Sequence, residues 1–320
     1  MNAQEIEKCG EAIIQNIEKV IVGKRDVLKM VLTALISGGH VLLEDMPGTG
    51  KTTLAKALAR SVDITCTRVQ FTPDLLPSDL TGINFYNQKL GEFSFRKGPL
   101  FTNLLLADEI NRATPRTQSS LLESMEEATV TVDSVTYKLD APYFVIATQN
   151  PIETQGTFPL PEAQLDRFFM KLSMGYLERG SEIEMLTRGR SGTALGELGP
   201  VASGEDIRGM QLAVRDIAVS DDVKGYIVDV THATREHPNA RLGVSPRGSI
   251  ALMRGAQAAA ALAGRDFVTP DDVKAVAPAI LSHRIIPKGG ATLRNADAGS
   301  QIVAEVLAKV AVPMENSTNA

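Results

Sequence analysis

VLLEDMPGTGKT, residues 41–52, decides how the rest of the chain is read. An apolar run closes on two acids. Gly48, Gly50, Lys51 and Thr52 then follow in the order G-x-G-K-T, and TLAKALA continues from Thr53 with the pattern of a helix. Strand, glycine turn and helix in that order form the context in which a phosphate-gripping loop works. Glycine lets backbone N–H groups approach an anion closely, and the following helix directs its positive end at it. Asp45, Met46, Pro47, Gly48, Thr49, Gly50, Lys51, Thr52 and Thr53 are therefore candidate nucleotide-binding residues. Lys51 is expected to reach the β- and γ-phosphates, and the Thr52 hydroxyl to hold Mg²⁺.

One letter departs from G-x-x-x-x-G-K-[ST]: Asp45 stands where the first glycine belongs. Close backbone approach is demanded mainly of Gly48 and Gly50, whereas position 45 closes the strand and tolerates an L-residue whose φ is negative. A carboxylate aimed at phosphate would repel it, so the Asp45 side chain is expected to turn away toward local N–H groups.

Working outward, HVLLE (40–44), TCTRVQ (65–70), NLLLAD (103–108), YFVIATQ (143–149) and FFMKL (168–172) are continuous rather than alternating and are read as buried strands. Helical patterns lie between several of them, and an amphipathic helix carrying Ile6, Ile13, Ile17 and Val20 leads in. The alternation predicts an α/β core with a mostly parallel sheet covered on both faces. After about residue 175 the strands are expected to stop. Helix-start signals at Ser220, Ser245 and Thr269, the last two followed by proline, predict a smaller all-α second domain. The expected organisation is 1–175 for the nucleotide-binding core, 176–312 for the helical lid and 313–320 for a polar tail.

Two further strand ends carry chemistry. LLLADEINRA stops at Asp108 and Glu109, and alternation of side chains along a strand would give them different tasks: Asp108 toward Mg²⁺, Glu109 toward the attacking water. YFVIATQNP ends at Asn150, an amide able to position water or touch the γ-phosphate; alone, it reads equally as a turn former.

These pieces, together with PLPEAQLDRFFMKL and GVSPRGSIALMR, resemble the AAA+ ATPases and more narrowly the MoxR family, over roughly residues 5–310. The resemblance implies a P-loop AAA+ core followed by a helical lid, ATP and ADP as ligands, Mg²⁺ as cofactor, and assembly into a homo-oligomeric, hexameric ring. It makes Lys51 and Thr52 the Walker A residues, Asp108 and Glu109 Walker B, and Asn150 sensor 1. Arg167 in QLDRF matches the arginine finger and Arg247 in SPRG the sensor 2 position, so Glu109, Asn150, Arg167 and Arg247 are the candidate catalytic residues. Alternating TVTVDSVTYKL (129–139) and LTGINFYNQKLGEFSFRKGPLF (80–101) are expected to form hairpins, at the places of the inserts shared with magnesium chelatase subunits and minichromosome maintenance helicases. Phe85, Tyr86, Phe93 and Phe95 either touch a client or pack the insert onto its own domain.

A net charge of -5 gives no global footprint for nucleic acid, and two cysteines fit a reducing compartment. No apolar stretch is long enough for a bilayer, and a cytoplasmic protein is expected. His232 and His237 lie five apart, off a common helical face, and read as non-metal residues. Two functions remain open: chaperone-like maturation of a protein partner, by resemblance one bearing a von Willebrand factor A domain with a metal-dependent adhesion site, and a nucleic-acid motor. The second needs basic hairpin tips; here one tip is Asp133-Ser134, while the other insert holds Lys89, Arg96 and Lys97.

Overall fold

The structure is a computed structural model that describes residues 1–46, 48–89, 91–151, 156–191, 195–289 and 298–313. Pro47, part of the glycine-rich stretch after residue 188, and the tail from 314 onward lie outside the described residues. In chain order the strands are β1 (Val41–Glu44), β2 (Cys66–Gln70), β3 (Gly82–Asn87), β4 (Glu92–Lys97), β5 (Leu104–Asp108), β6 (Thr129–Val132), β7 (Val135–Lys138), β8 (Phe144–Gln149), β9 (Met170–Leu172), β10 (Ala240–Leu242) and β11 (Ile286–Pro287). The helices are α1 (Ala3–Glu18), α2 (Arg25–Ile36), α3 (Lys51–Ser61), α4 (Pro77–Thr81), α5 (Pro115–Glu127), α6 (Glu162–Leu165), α7 (Arg179–Ser191), α8 (Gly204–Ala213), α9 (Asp221–Glu236), α10 (Pro246–Leu262), α11 (Pro270–Leu281) and α12 (Ala298–Lys309).

Five strands form one parallel sheet in the order β2-β5-β8-β1-β9. Their apolar runs are continuous because each face meets a different core. Leu42, Leu105, Ala107, Val145 and Ala147 pack with Phe71, Leu121, Leu122 and Phe168 on one side. Val41, Leu43, Leu104, Leu106, Phe144 and Ile146 face α1, α2 and α3 on the other. Each fully buried Val, Leu, Ile or Phe contributes roughly 1.5–3 kcal/mol. Parallel strands also bring their carboxyl ends to one rim, and that rim carries Gln70, Asp108 and Gln149. TCTRVQ departs from the expectation of a fully buried strand: β2 lies at the sheet edge, so its residues are only half-buried or exposed.

The second half is helical from α7 to α12, with one correction. β10 and β11 pair antiparallel, so the lid contains a short ladder as well as helices. Ser220 caps α9 by accepting the Val223 amide hydrogen, and Thr269 and Asp272 form a capping box at α11; Ser245 precedes Pro246 without a side-chain cap bond. Apolar side chains of α9, α10 and α11 belong to the same continuous core as α1 and the sheet, so the change of architecture near residue 175 is not a break in packing.

Both expected hairpins form. β6 and β7 join through Asp133 and Ser134, both at positive φ (47° and 69°), the geometry of a tight two-residue turn. β3 pairs with β4, and the two hairpins are fastened together: Phe95 stacks on Tyr137 with ring centroids 4.4 Å apart, and Asn84 donates to the Asp133 carboxylate at 2.8 Å.

Candidate nucleotide-binding and active site

β1 delivers the chain to the loop, and α3 leads away from it. Gly48 and Gly50 have φ of 84° and 90°, values that an L side chain rarely adopts, and a Cβ added at Gly48 would meet nothing within 4 Å. The loop therefore presents open backbone. Gly50 caps α3 with no side-chain acceptor, which leaves first-turn amide hydrogens to the cleft. Lys51 Nζ donates to the main-chain carbonyls of Asp45 (2.9 Å) and Met46 (3.0 Å), and Thr49 Oγ1 donates to Met46 at 3.3 Å.

A cleft of 400 Å³ lies over this loop, lined by Asp45, Gly48, Gly50, Lys51, Thr52, Thr53, Arg68, Gln70, Asp108, Glu109, Thr148 and Asn150. The three strand-end stations thus meet in one place. Thr148 on β8 organises two of them: its hydroxyl donates to Asp108 Oδ1 at 2.7 Å and accepts the Glu109 amide hydrogen at 2.9 Å. Asp108 Oδ2 accepts from Arg68, with Nε at 2.9 Å and the second nitrogen at 2.8 Å. Glu109 Oε2 accepts from the Gln70 amide at 2.7 Å and pairs with Arg112 at 3.1 Å. Separation of the two acids comes from a source other than strand alternation. β5 ends at Asp108, and Glu109 sits at φ 56°, ψ 52°, a left-handed kink that redirects its side chain. Such a conformation in a non-glycine residue costs on the order of 1 kcal/mol or more and is typical of functional sites. Asn150 is buried on the same rim.

The donor set suits Mg²⁺: one hydroxyl, Thr52, and one carboxylate, Asp108, both oxygen donors, on the wall beside the open glycine backbone. A second chamber of 310 Å³ opens on the other side of the loop and shares Gly48, Gly50 and Thr53 with the first. Val20, Ile21, Val22, Met174 and Leu177 make it mainly apolar. A polar chamber continuous with an apolar one matches a ligand that has an anionic tail and a flat, largely apolar head.

Asp45 does turn away from the phosphate chamber. Its carboxylate accepts hydrogen bonds from Ser173, Met174 and Gly175, partners distant in sequence rather than local. Arg167 and Arg247 do not line the cleft; both pair with Glu126 at the end of α5. Met46 stands at the edge, with Tyr176 Oη donating to its Sδ at 2.7 Å.

Arg68, Gln70, Thr148 and the apolar chamber were not among the sequence candidates. Arg68 and Gln70 occupy alternate positions of β2, so they share a face, and β2 pairs with the strand that bears Asp108. That i, i+2 pair of polar residues at the end of an expected strand was the available signal.

A P-loop cleft at the carboxyl rim of a five-stranded parallel sheet, with a helical lid behind it, defines an AAA ATPase. The family model of the ATPase family associated with various cellular activities (AAA) matches residues 40–170, and that of the AAA lid domain matches residues 232–306. Among relatives, the Mycobacterium tuberculosis (strain ATCC 25618 / H37Rv) chaperone MoxR1 is 38% identical over 98% of this chain and 85% of its own. The uncharacterised protein YeaC of Bacillus subtilis (strain 168) is 50% identical over 95% of each chain. The crystal structure of a candidate ATPase from Cytophaga hutchinsonii superposes with a TM-score of 0.88 at 39% identity, covering 98% of this chain and 97% of that one. This chain belongs to the MoxR family of AAA ATPases, enzymes with chaperone-like work.

Proposed function

We propose that this protein hydrolyses ATP with Mg²⁺, as a hexameric ring in the cytoplasm, to remodel or mature a protein partner bearing a von Willebrand factor A domain. The observation that carries the ATPase chemistry is the meeting of Lys51, Asp108, Glu109 and Asn150 in one cleft over an open glycine loop. Support for the partner comes from the family resemblance and from a relative that is a chaperone by name.

Each residue has a role its position permits. Amide hydrogens of the loop and the Lys51 ammonium hold the β- and γ-phosphates. Thr52 and Asp108 would hold Mg²⁺, which when bound neutralises charge on the phosphate oxygens. Glu109 orients the attacking water and takes its proton, while the Gln70 amide bonded to its carboxylate fixes where it points. Asn150 sets the water and γ-phosphate in line. Arg167 lies outside its own cleft, which supports a role toward the cleft of a neighbouring copy, while Arg247, at the start of α10 in the lid, would be brought toward the phosphates by closure of the lid.

Glu109→Gln tests the scheme. The amide cannot accept a proton, yet it leaves the phosphate and Mg²⁺ groups in place, so ATP should still bind while turnover falls by about 10²-fold or more. Unchanged turnover would remove Glu109 from the mechanism. The same variant, which holds ATP without hydrolysing it, should retain a von Willebrand factor A partner in a pull-down; recovery of nucleic acid instead would favour the motor function.

A further inference from the structure

Asp45 occupies the loop position where the pattern has glycine, and its surroundings give it a task. Its side chain is buried, at 5% exposure. Oδ1 accepts from Ser173 Oγ at 2.8 Å and from the Gly175 amide at 2.9 Å, and Oδ2 accepts from the Met174 amide at 2.7 Å. These three donors lie on the segment that follows β9 toward the lid. Met174 and Gly175, with Tyr176 and Leu177, form one wall of the apolar chamber. The main chain of the same aspartate faces the opposite way, its carbonyl accepting from Lys51 Nζ at 2.9 Å.

One residue thus touches both halves of the cleft. Hydrogen bonds to a carboxylate are about twice as strong as neutral ones. Glycine at position 45 would leave the buried Met174 amide hydrogen without its acceptor and would release the more exposed Ser173 hydroxyl and Gly175 amide to water. Asparagine would keep one acceptor oxygen but present an N–H₂ group to a second donor. The charge that would repel phosphate is instead consumed in holding the chamber wall.

We propose that Asp45 is a positioning residue for the nucleoside half of the substrate: its carboxylate staples the Ser173–Gly175 segment to the phosphate loop and so fixes the distance between the base chamber and the phosphate chamber. The proposal rests on ATP being the ligand.

The test compares ATP with inorganic tripolyphosphate, which has the tail and no base. Calorimetry on the wild type, Asp45→Asn and Ser173→Ala gives the ratio of the two affinities. Asp45→Asn should weaken ATP by about tenfold while tripolyphosphate stays within about twofold. Ser173→Ala, which removes a single donor, should move the ratio the same way by less, and it carries the test if Asp45→Asn does not fold by thermal melting. Tighter tripolyphosphate with an unchanged ATP affinity would mean that the carboxylate only obstructs the tail. Equal weakening of both ligands would mean general support of the loop, and an unchanged ratio would mean no positioning; each of these overturns the proposal. A wild type that binds no ATP would overturn the ligand assignment itself, a separate outcome.

Discussion

Arg167 and Arg247 meet on the two oxygens of one carboxylate. Nε of Arg167 lies 3.3 Å from Glu126 Oε2, and a terminal nitrogen of Arg247 lies 2.5 Å from Oε1. One arginine follows α6 at the foot of the sheet and the other opens α10 in the lid, so Glu126 collects a core residue and a lid residue at one surface point.

That arrangement separates turnover from binding. The three side chains are between 33% and 50% exposed, so the cluster contributes less than about 1 kcal/mol to folding. Arg167→Ala should leave ATP affinity within about threefold, because its guanidinium does not reach its own cleft, while turnover falls by about 10²-fold or more. Mixing Arg167→Ala with Glu109→Gln subunits should restore part of the activity, since a mixed interface can pair an intact Glu109 with an intact Arg167. Steady-state hydrolysis across a series of mixing ratios checks this. A series that only averages the two inactive proteins would count against a shared site.

His40 predicts the acid limit of stability. It precedes β1, is buried, and bridges two elements: Nδ1 accepts the Val145 amide hydrogen at 3.1 Å, and Nε2 donates to the Met125 carbonyl at 2.8 Å. Accepting at Nδ1 requires the neutral ring with its proton on Nε2. Burial pushes the imidazole pKa from 6.5 down to about 4. On acidification the unfolded chain therefore takes up a proton before the folded one, so this contribution is complete above about pH 6.5 and is lost progressively toward pH 4. The loss should be on the order of 3 kcal/mol, measured as a falling urea midpoint. His40→Gln should be less stable at pH 7.5 but flatter in that window. Some slope should persist, because burial also depresses the pKa of His283.

Arg284 is the buried cation that fixes the segment carrying Arg167. Its Nε donates to the Asp166 carboxylate at 2.7 Å, and its terminal nitrogens reach the carbonyls of Phe168 (2.7 Å), Phe169 and Asp166 (both 3.2 Å), and Ile280. Removing such a group strands its partners, so Arg284→Met should cost about 3–5 kcal/mol by denaturant unfolding. Arg284→Lys should fall between, since a point charge cannot satisfy a forked set of acceptors. In whichever variant folds, turnover should suffer more than ATP affinity, because Arg167 is the residue after Asp166.

How much of this was legible depends on where the information sits. Runs such as LLLAD and FVIAT exposed the parallel sheet because a strand buried on both faces leaves a continuous apolar signature. The phosphate loop, Asp108, Glu109 and Asn150 were readable for a related reason: each stands at the end of such a run. Arg68 and Gln70 were not, since their neighbours follow from β2 pairing with β5, a long-range choice that no local period records. The apolar chamber joins Val20, Ile21, Val22 and Lys24 to Met174, Gly175, Tyr176 and Leu177, segments far apart in the chain, and Asp45 finds its donors on the second of them. The strands β10 and β11, three and two residues long, are too short to leave a period-2 pattern.

The hairpin aromatics divide by environment, Phe95 on one side and Phe85, Tyr86 and Phe93, all exposed, on the other, and the division can be measured. Phe95 stacks on Tyr137 and meets Phe101 edge-on at 5.6 Å, so it belongs to the packing between the hairpins. Phe95→Ala should destabilise the protein by about 2 kcal/mol, from lost burial together with the stacking contribution. Phe93 is 73% exposed; it contacts Tyr86, itself more than half exposed, with centroids 5.5 Å apart. Phe93→Ala should therefore leave stability within about 0.5 kcal/mol and basal ATP hydrolysis unchanged. An exposed aromatic pair on a hairpin is suited to grip an apolar segment of a partner, so the same variant should retain less partner than Phe93 does when both are tested in the Glu109→Gln background. Equal retention would assign the tip no part in capture, and a loss of stability comparable to that of Phe95→Ala would show that Phe93 is a packing residue after all.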